Sequence, residues 1–215
     1  MTFSIVVLPL RLTNPRQDLA AMLGEWMDST PSLGLRSVQC REDLETIHQL
    51  RRTISQAIES KDSYEEGLNI MEDLHAYYNY LLECEERGLK GESQCISLEW
   101  ESPLTGDLQT MHCLAWDRAG LIWNLVTLEA YQASNRPLDS KVAWSEAAQH
   151  LQNAASWLQH LPKLDHQYPD LGTTFTQFWQ SILLAQAQRC AYESVACAPR
   201  PKHLLLAKLA AAAVP

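Results

Sequence analysis

A thiol nucleophile needs a base to take its proton and a third group to orient that base, so a cysteine beside a histidine is the first place to look for chemistry. In this 215-residue sequence the pair is His112-Cys113, with Cys95 in the same region. No third residue stands at a recognisable spacing to hold the imidazole. Free cysteine is among the most often buried residue types, so packing is the plainer reading. Asp165, His166 and Asp170, with Glu146 further back, put carboxylates and an imidazole together on a loop. Their spacing matches no metal-ligand pattern, and a solvated surface explains them. Gly88 and Gly91 flank Leu89-Lys90 and end a helix; they do not make a phosphate-cradling loop. The expectation is therefore no catalytic residue, no metal site and no cofactor. Seven tryptophans invite an aromatic-cage reading, yet Trp26, Trp100, Trp123, Trp157 and Trp179 each fall on the face of a predicted helix or strand. Core packing explains them more simply.

The elements that would position these residues are mostly helical. The first dozen residues are β-branched and apolar, and Pro9 limits pairing on one side, which predicts a short or edge strand. Thr13-Asn14-Pro15 reads as a helix start, and Leu19, Met22, Leu23 and Trp26 mark one buried stripe through about Met27. After turn residues Pro31 to Gly34, a second helix is predicted from Ser37 to about Glu59, with Leu44, Ile47, Leu50, Ile54 and Ile58 on a common face. A third runs from Tyr64 to about Glu86 through Leu68, Met71, Leu74, Tyr77 or Tyr78, and Leu81.

The period then changes to two. Ile96, Leu98 and Trp100 alternate with polar residues, Pro103 to Asp107 makes a turn, and Leu108 to Leu114 reads as the returning strand of a hairpin, its end Met111-His112-Cys113-Leu114 being too short to distinguish from the lead-in to a helix. Helices follow over Trp116 to about Ser134, Asp139 to about His160, Thr173 to about Cys197, and from Pro201 onward, with breaks at Pro137, Pro162, Pro169, Gly172, Pro199 and Pro201. Ala143, Ala147, Ala148, Ala154 and Ala155 would let helix axes approach closely, as in a helical solenoid, although no strict repeat is present.

Composition bounds the function classes. With 46% apolar residues the chain can bury a core without metals or disulfides. A net charge of −9 argues against a nucleic-acid partner, whose affinity rests on clustered Lys and Arg. Cys40, Cys84, Cys95, Cys113, Cys190 and Cys197 show no close zinc-type or redox pairing, which points to reduced thiols in a cytoplasmic protein. The N-terminal apolar run lacks a basic leader and meets Pro9, so it does not read as a signal peptide. The apolar stretch from Leu204 to Val214 is short and interrupted by Lys208, well under the roughly 20 residues a membrane span needs.

Several blocks, in order, resemble one family. Trp116-Asp117-Arg118-Ala119-Gly120-Leu121-Ile122-Trp123-Asn124-Leu125 places an acidic residue and a small apolar run before an aromatic-Asn pair. Ala147 to Ala155 and Trp157 to Leu161 follow with small residues, an aromatic and a terminal Leu. Leu184-Ala185-Gln186-Ala187-Gln188 and Ala207-Lys208-Leu209-Ala210 form the clearest stretch; Phe3 to Leu10, Leu50-Arg51-Arg52 and Leu98-Glu99-Trp100 extend it to the front. Together they resemble the Bro-one (BRO) domain, the helical scaffold found in Alix, Rhophilin and the His-domain tyrosine phosphatase.

The resemblance implies a mostly α, curved, tetratricopeptide-like helical solenoid with a small N-terminal sheet or hairpin. It implies that residues 1–215 are one truncated domain, the N-terminal portion of such a fold, with strands and helices over 1–114 and a helical-hairpin core over 115–215. It further implies a non-enzymatic, cytoplasmic and endosome-associated adaptor in protein transport. Such an adaptor binds an amphipathic helix of an ESCRT-III core subunit in an apolar groove. Peripheral membrane association belongs to the same expectation, weakened by the acidic balance. The family's groove positions fall at Leu205 and Leu209 with Lys208 between them, and its large aromatic falls at Ala191. A methyl group there cannot replace a ring that buries about 150 Å² or more. Core packing of Leu205 and Leu209 is the competing reading. Loss of the ring leaves the alternative of a dimeric structural module, or a signalling adaptor of the Rhophilin type without ESCRT-III binding, that self-associates through its last helix.

Overall fold

The computed structural model of the chain describes residues 4–13, 17–29, 38–60, 63–90, 92–161, 171–197 and 202–212. The described residues are mostly helical, with one two-stranded antiparallel sheet. The chain forms two compact units, one of Pro9–Asn124 with Leu161–Asp170, the other of Met1–Leu8, Leu125–His160 and Leu171–Pro215. The expected turn at Pro31 to Gly34, the residues Asn14 and Pro15, the prolines Pro162, Pro169, Pro199 and Pro201, and the side chain of Cys40 all lie outside the described residues.

In the first unit α1 (Leu19–Ser29) starts later than the start expected at Thr13-Asn14-Pro15, since Thr13 bridges to Trp100 and Gln17 and Asp18 are not helical. Of the predicted stripe, Leu19, Leu23 and Trp26 are buried and Met22 is half-buried. Helix α2 (Val38–Ile58) buries Leu44, Ile47, Ile54 and Ile58. The fifth expected member of that face, Leu50, is half-buried, and its neighbour Arg51 occupies the interior instead. The third helix is not continuous. It divides into α3 (Ser63–Asn69) and α4 (Met71–Glu86) at Ile70. Asn69 and Ile70 are weaker helix formers than their neighbours. Glu72 and Asp73 in the first turn of α4 favour a fresh start at its positive end. Leu74, Tyr77 and Leu81 then face the core.

The hairpin is β1 (Leu98–Glu101) paired with β2 (Leu108–Met111), in register Leu98 to Met111 and Glu101 to Leu108. Gly106, at φ +74, makes the turn between them. The returning strand stops at Met111, and Leu114 already opens α5 (Leu114–Ser134). Residues 4–12 form no strand, contrary to expectation; Thr13 makes an isolated bridge to Trp100, and Glu101 N–H donates to Leu12 O at 2.7 Å. Side chains hold this extended segment. Asn124 accepts from Arg11 N–H at 2.7 Å and donates back to Arg11 O at 3.0 Å, and Trp123 Nε1 donates to Pro9 O at 2.9 Å. A strand ladder is unnecessary because one amide satisfies both main-chain groups of Arg11.

Helices α2 and α4 and strand β1 converge on Asp117 of α5. Its carboxylate is fully buried and lies 3.3 Å, at both oxygens, from Arg51 Nε of α2. Trp100 Nε1 of β1 donates to it at 2.7 Å, and the Tyr77 hydroxyl of α4 donates to it in a short bond. Arg51 also reaches Thr13 Oγ1 at 2.5 Å and Gln17 Oε1 at 3.1 Å. Burial pulls the Arg51 guanidinium down, but the charge of Asp117 and the nearby Tyr77 leave it above its ordinary value, so it stays charged. Trp100 lies so near α5 that a Cβ on Gly120 would sit 2.5 Å from its ring carbons. Glycine costs a helix about 1 kcal/mol relative to alanine, and here it admits the ring. Arg118 closes the outer side with bonds of 3.1 and 3.0 Å to Glu85.

In the second unit α6 (Lys141–Trp157, continued by a 3₁₀ turn to His160) packs on α7 (Thr173–Ala196), and α8 (His203–Ala212) packs on α7. Ser140 caps α6 by accepting from Ala143 N–H at 3.2 Å. Ala147, Ala148, Ala154 and Ala155 are buried as their spacing predicts, and Ala143 is half-buried. Their small size brings the α7 side chains within reach of α6 main chain. Gln180 Nε2 donates to Ala155 O at 3.3 Å and Ser194 Oγ to Lys141 O at 3.0 Å. Gln188 Nε2 donates to Leu209 O at 2.7 Å and ties α8 to α7.

Two substitutions and one titration test the Asp117 arrangement. Asp117→Asn leaves the Arg51 charge buried without its counter-charge and should cost about 3–5 kcal/mol, read as a lowered urea midpoint at constant slope. Gly120→Ala should cost about 1–3 kcal/mol by displacing the Trp100 ring, whereas Gly24→Ala, with open space around it, should be neutral or stabilising. Burial, and then the Asp117 charge, push the Tyr77 phenol well above its ordinary value. A raised phenol favours the protonated fold, so this stability is whole below about pH 10 and is lost as pH climbs through the folded value. Absorbance at 295 nm should therefore show a late-ionising tyrosine in the native protein that disappears both in denaturant and in Tyr77→Phe.

Candidate functional site

The thiol constellation does not assemble. His112 is exposed, and its Nδ1 lies 2.5 Å from Ile96 O, so the ring is held by main chain rather than aimed at sulfur. Cys113 is buried, and burial raises its thiol. Cys95 is half-buried, with Ser29 Oγ at 3.9 Å. A nucleophilic thiol needs the opposite shift, towards thiolate at neutral pH. Burial likewise pushes Cys84 and Cys190 up to about 11.

Of the loop constellation, Asp165, His166 and Asp170 lie outside the described residues, and Glu146 pairs with Arg136. Among the described residues no group of three His, Cys, Asp or Glu side chains is placed to hold a metal. Trp26, Trp100 and Trp123 are core residues, as their faces predict. Trp157 and Trp179 are half-buried, in edge contact with His160 at 5.8 Å and with Phe175 and Phe178 at 6.1 and 5.6 Å.

The surface feature suited to recognition is a groove of about 310 Å³ between α7 and α8. Its α7 wall is Ala185, Gln188, Arg189, Tyr192 and Glu193; its α8 wall is Leu209 and Ala210. Of the residues expected there from sequence, Leu209 lines the groove. Leu205, one turn earlier on α8, is 39% exposed, and Lys208 is exposed. Ala191 is half-buried and is not on the groove wall. The ring on that wall belongs to Tyr192, which the sequence places next to the expected position but about a quarter-turn away from it. The signal was present in the spacing, because Ala185, Arg189 and Tyr192 recur at four and three residues and so share one helix face. An aliphatic side chain, an aromatic ring and two small residues make an apolar floor, and Arg189 and Glu193 form a 2.8 Å ion pair along one side. Such a floor with a polar margin suits the apolar stripe of a helix.

Among the described residues no helix is long and apolar enough to cross a membrane. A search of curated proteins by sequence returned no match. Solved structures do match. An ALIX crystal structure, in complex with the SIVmac239 PYKEVTEDL late domain, aligns with a TM-score of 0.78 and 24% identity over 99% of this chain and 31% of that chain. An ALIX BRO1–CHMP4C complex aligns with a TM-score of 0.77 and 22% identity over 98% and 61%. A Bro1 domain, described for endosomal targeting, aligns with a TM-score of 0.76 and 20% identity over 99% and 58%. The chain thus spans less than two thirds of each of these proteins, and the likeness establishes the shared helical fold. A scan against protein-family models matched the BRO1-like domain over residues 5–214. With nearly every described residue inside that match, the chain belongs to the BRO1-like domain family.

Proposed function

We propose that this chain is a non-enzymatic adaptor of the endosomal-sorting type, which receives an amphipathic helix of an ESCRT-III subunit in the α7–α8 groove. The observation that carries the reading is the Tyr192 ring facing Leu209 across that groove in a member of the BRO1-like family. The family setting adds to it, since the ALIX BRO1 domain has been solved with CHMP4C. Leu205 and Lys208 would extend the α8 side of the contact, Leu205 as a second apolar anchor and Lys208 as a cationic rim for a carboxylate. Ala191 would serve as a small residue behind the wall, and Tyr192 takes the aromatic role that position was expected to lack.

One observation favours self-association as a second reading. Leu204, on the outer face of α8, is 73% exposed beside exposed Ala207 and Ala211, and an apolar face of this kind invites a second copy. Light scattering separates the two, because a stable dimer insensitive to helical peptide would sink the adaptor reading.

The direct test titrates a fluorescent peptide of the CHMP4C C-terminal helix into the whole chain. Tyr192→Ala should weaken binding by tenfold or more, about 1.4 kcal/mol for a central aromatic anchor. Leu209→Asp and Leu205→Asp should abolish it; circular dichroism should stay native in Leu205→Asp, whose side chain is exposed, which separates lost contact from loosening of α8. Undiminished binding by Leu209→Asp would place the contact elsewhere.

A further inference from the structure

The groove is not purely apolar. Arg189 and Glu193, one helical turn apart on its α7 wall, pair through Nε and Oε1 at 2.8 Å, with Arg189 half exposed and Glu193 a quarter exposed. Any helix laid on Ala185, Tyr192 and Leu209 must meet both charges. The stretch from Ala185 to Glu193 is roughly 12 Å at helical rise, about two turns of a bound helix. A wholly apolar ligand face would strip water from the pair without replacing it. A face of one sign gains at one member and loses at the other, so its net electrostatic contribution is small.

From this geometry, and resting on the helix-groove reading above, we infer that the groove selects an amphipathic helix carrying a carboxylate and a cation one turn apart, beside its apolar anchors. The carboxylate meets Arg189 and the cation meets Glu193. The two pairs then form an alternating set of four charges, in which every neighbour is opposite in sign. Complementary rim charges of this kind fix register and partner choice more than they raise affinity. Exposed Lys208 on α8 stands off the groove wall, and on its own it would favour an all-acidic partner. The two preferences are therefore separable.

The experiment uses three synthetic helical peptides with the same leucine anchors at i, i+3, i+4 and i+7. They differ at two flanking positions four apart, which carry Glu and Lys, Glu and Glu, or Lys and Lys. Fluorescence anisotropy measures each against the whole chain and against the double variant Arg189→Gln with Glu193→Gln. The Glu/Lys peptide should bind the natural chain about fivefold more tightly than either single-sign peptide, the effect of two exposed charge contacts of ordinary strength. That preference should shrink with added salt. The double variant should bind all three within about twofold. It also controls for the extra helicity that an i,i+4 Glu-Lys pair gives the free peptide, because that helicity does not depend on the protein. A natural chain that ranks the Glu/Glu peptide first, or a preference that survives in the double variant, overturns the inference while leaving the groove intact. Failure of all three peptides to bind overturns the helix-groove reading itself, and this inference with it.

Discussion

A carboxylate with no access to water organises the Pro9–Asn124 unit. An isolated buried charge would cost many kcal/mol, and Asp117 is tolerable because Arg51, Trp100 and Tyr77 each give it a donor. Those donors come from α2, β1 and α4, while Arg51 passes the constraint on to Thr13 and Gln17 ahead of α1. Gln17 in turn donates to Ser97 O at 2.7 Å and accepts from Glu99 N–H at 3.1 Å, which fixes the hairpin edge. The net stability of such a network is modest, since an apolar core of equal volume would do as well. Its consequence is register: a slip of one residue in α2, α4 or α5 would strand at least one buried polar group.

That network explains why periodicity alone described the fold and missed its organiser. Apolar spacing located α2, α5, α6 and α7 within a few residues and the buried face of α1 though not its start, and alternation located β1, because burial imposes periods of 3.6 and 2. Arg51 defeats the same reasoning. It occupies a core position that an apolar template assigns to Leu50, and nothing in α2 alone announces a counter-charge 66 residues away. The extended segment 4–13 defeats it differently. Its residues have strand propensity, but the main-chain groups of Pro9 and Arg11 bond the side chains of Trp123 and Asn124 in place of a neighbouring strand, and these partners are invisible without the tertiary structure. The Trp116 to Leu125 block, quoted for its family likeness, contains Asp117, Gly120 and Asn124. The likeness therefore rested on residues with structural work to do.

The candidate site was legible in part for a related reason. The position of Leu209 on the groove follows from its place in the Ala-Lys-Leu stretch, but the ring opposite depends on which face of α7 meets α8, and a neighbouring residue is turned about 100° away on a helix. Choosing between Ala191 and Tyr192 therefore needs the rotation of α7, which is set by the face carrying Leu183, Ala187 and Cys190 that it buries in packing on α6. The thiols tell the complementary story. Burial raises Cys84, Cys113 and Cys190, and a small apolar side chain in a packed helix accounts for them.

The contrast between the α5 network and α8 bears on how recognition and stability are linked. Helix α8 is tied to α7 by the Gln188 bond and has two half-buried leucines, Leu206 and Leu209, while Leu204 and Leu205 face water. Two leucines half removed from water contribute roughly 2–3 kcal/mol, before the entropy of fixing ten residues is set against them. Helix α8 is therefore weakly anchored by comparison with α5, where positions 119–130 are all buried. A ligand of the proposed kind that covered Leu209 and Leu205 would add apolar contact to a weakly held helix, so its binding and the docking of α8 would be thermodynamically linked. Anchors that touch α8 thus count twice, once as contacts and once as braces for the groove wall. Contacts confined to α7 count once, because that helix is already held by Gln180, Ser194 and a buried face against α6.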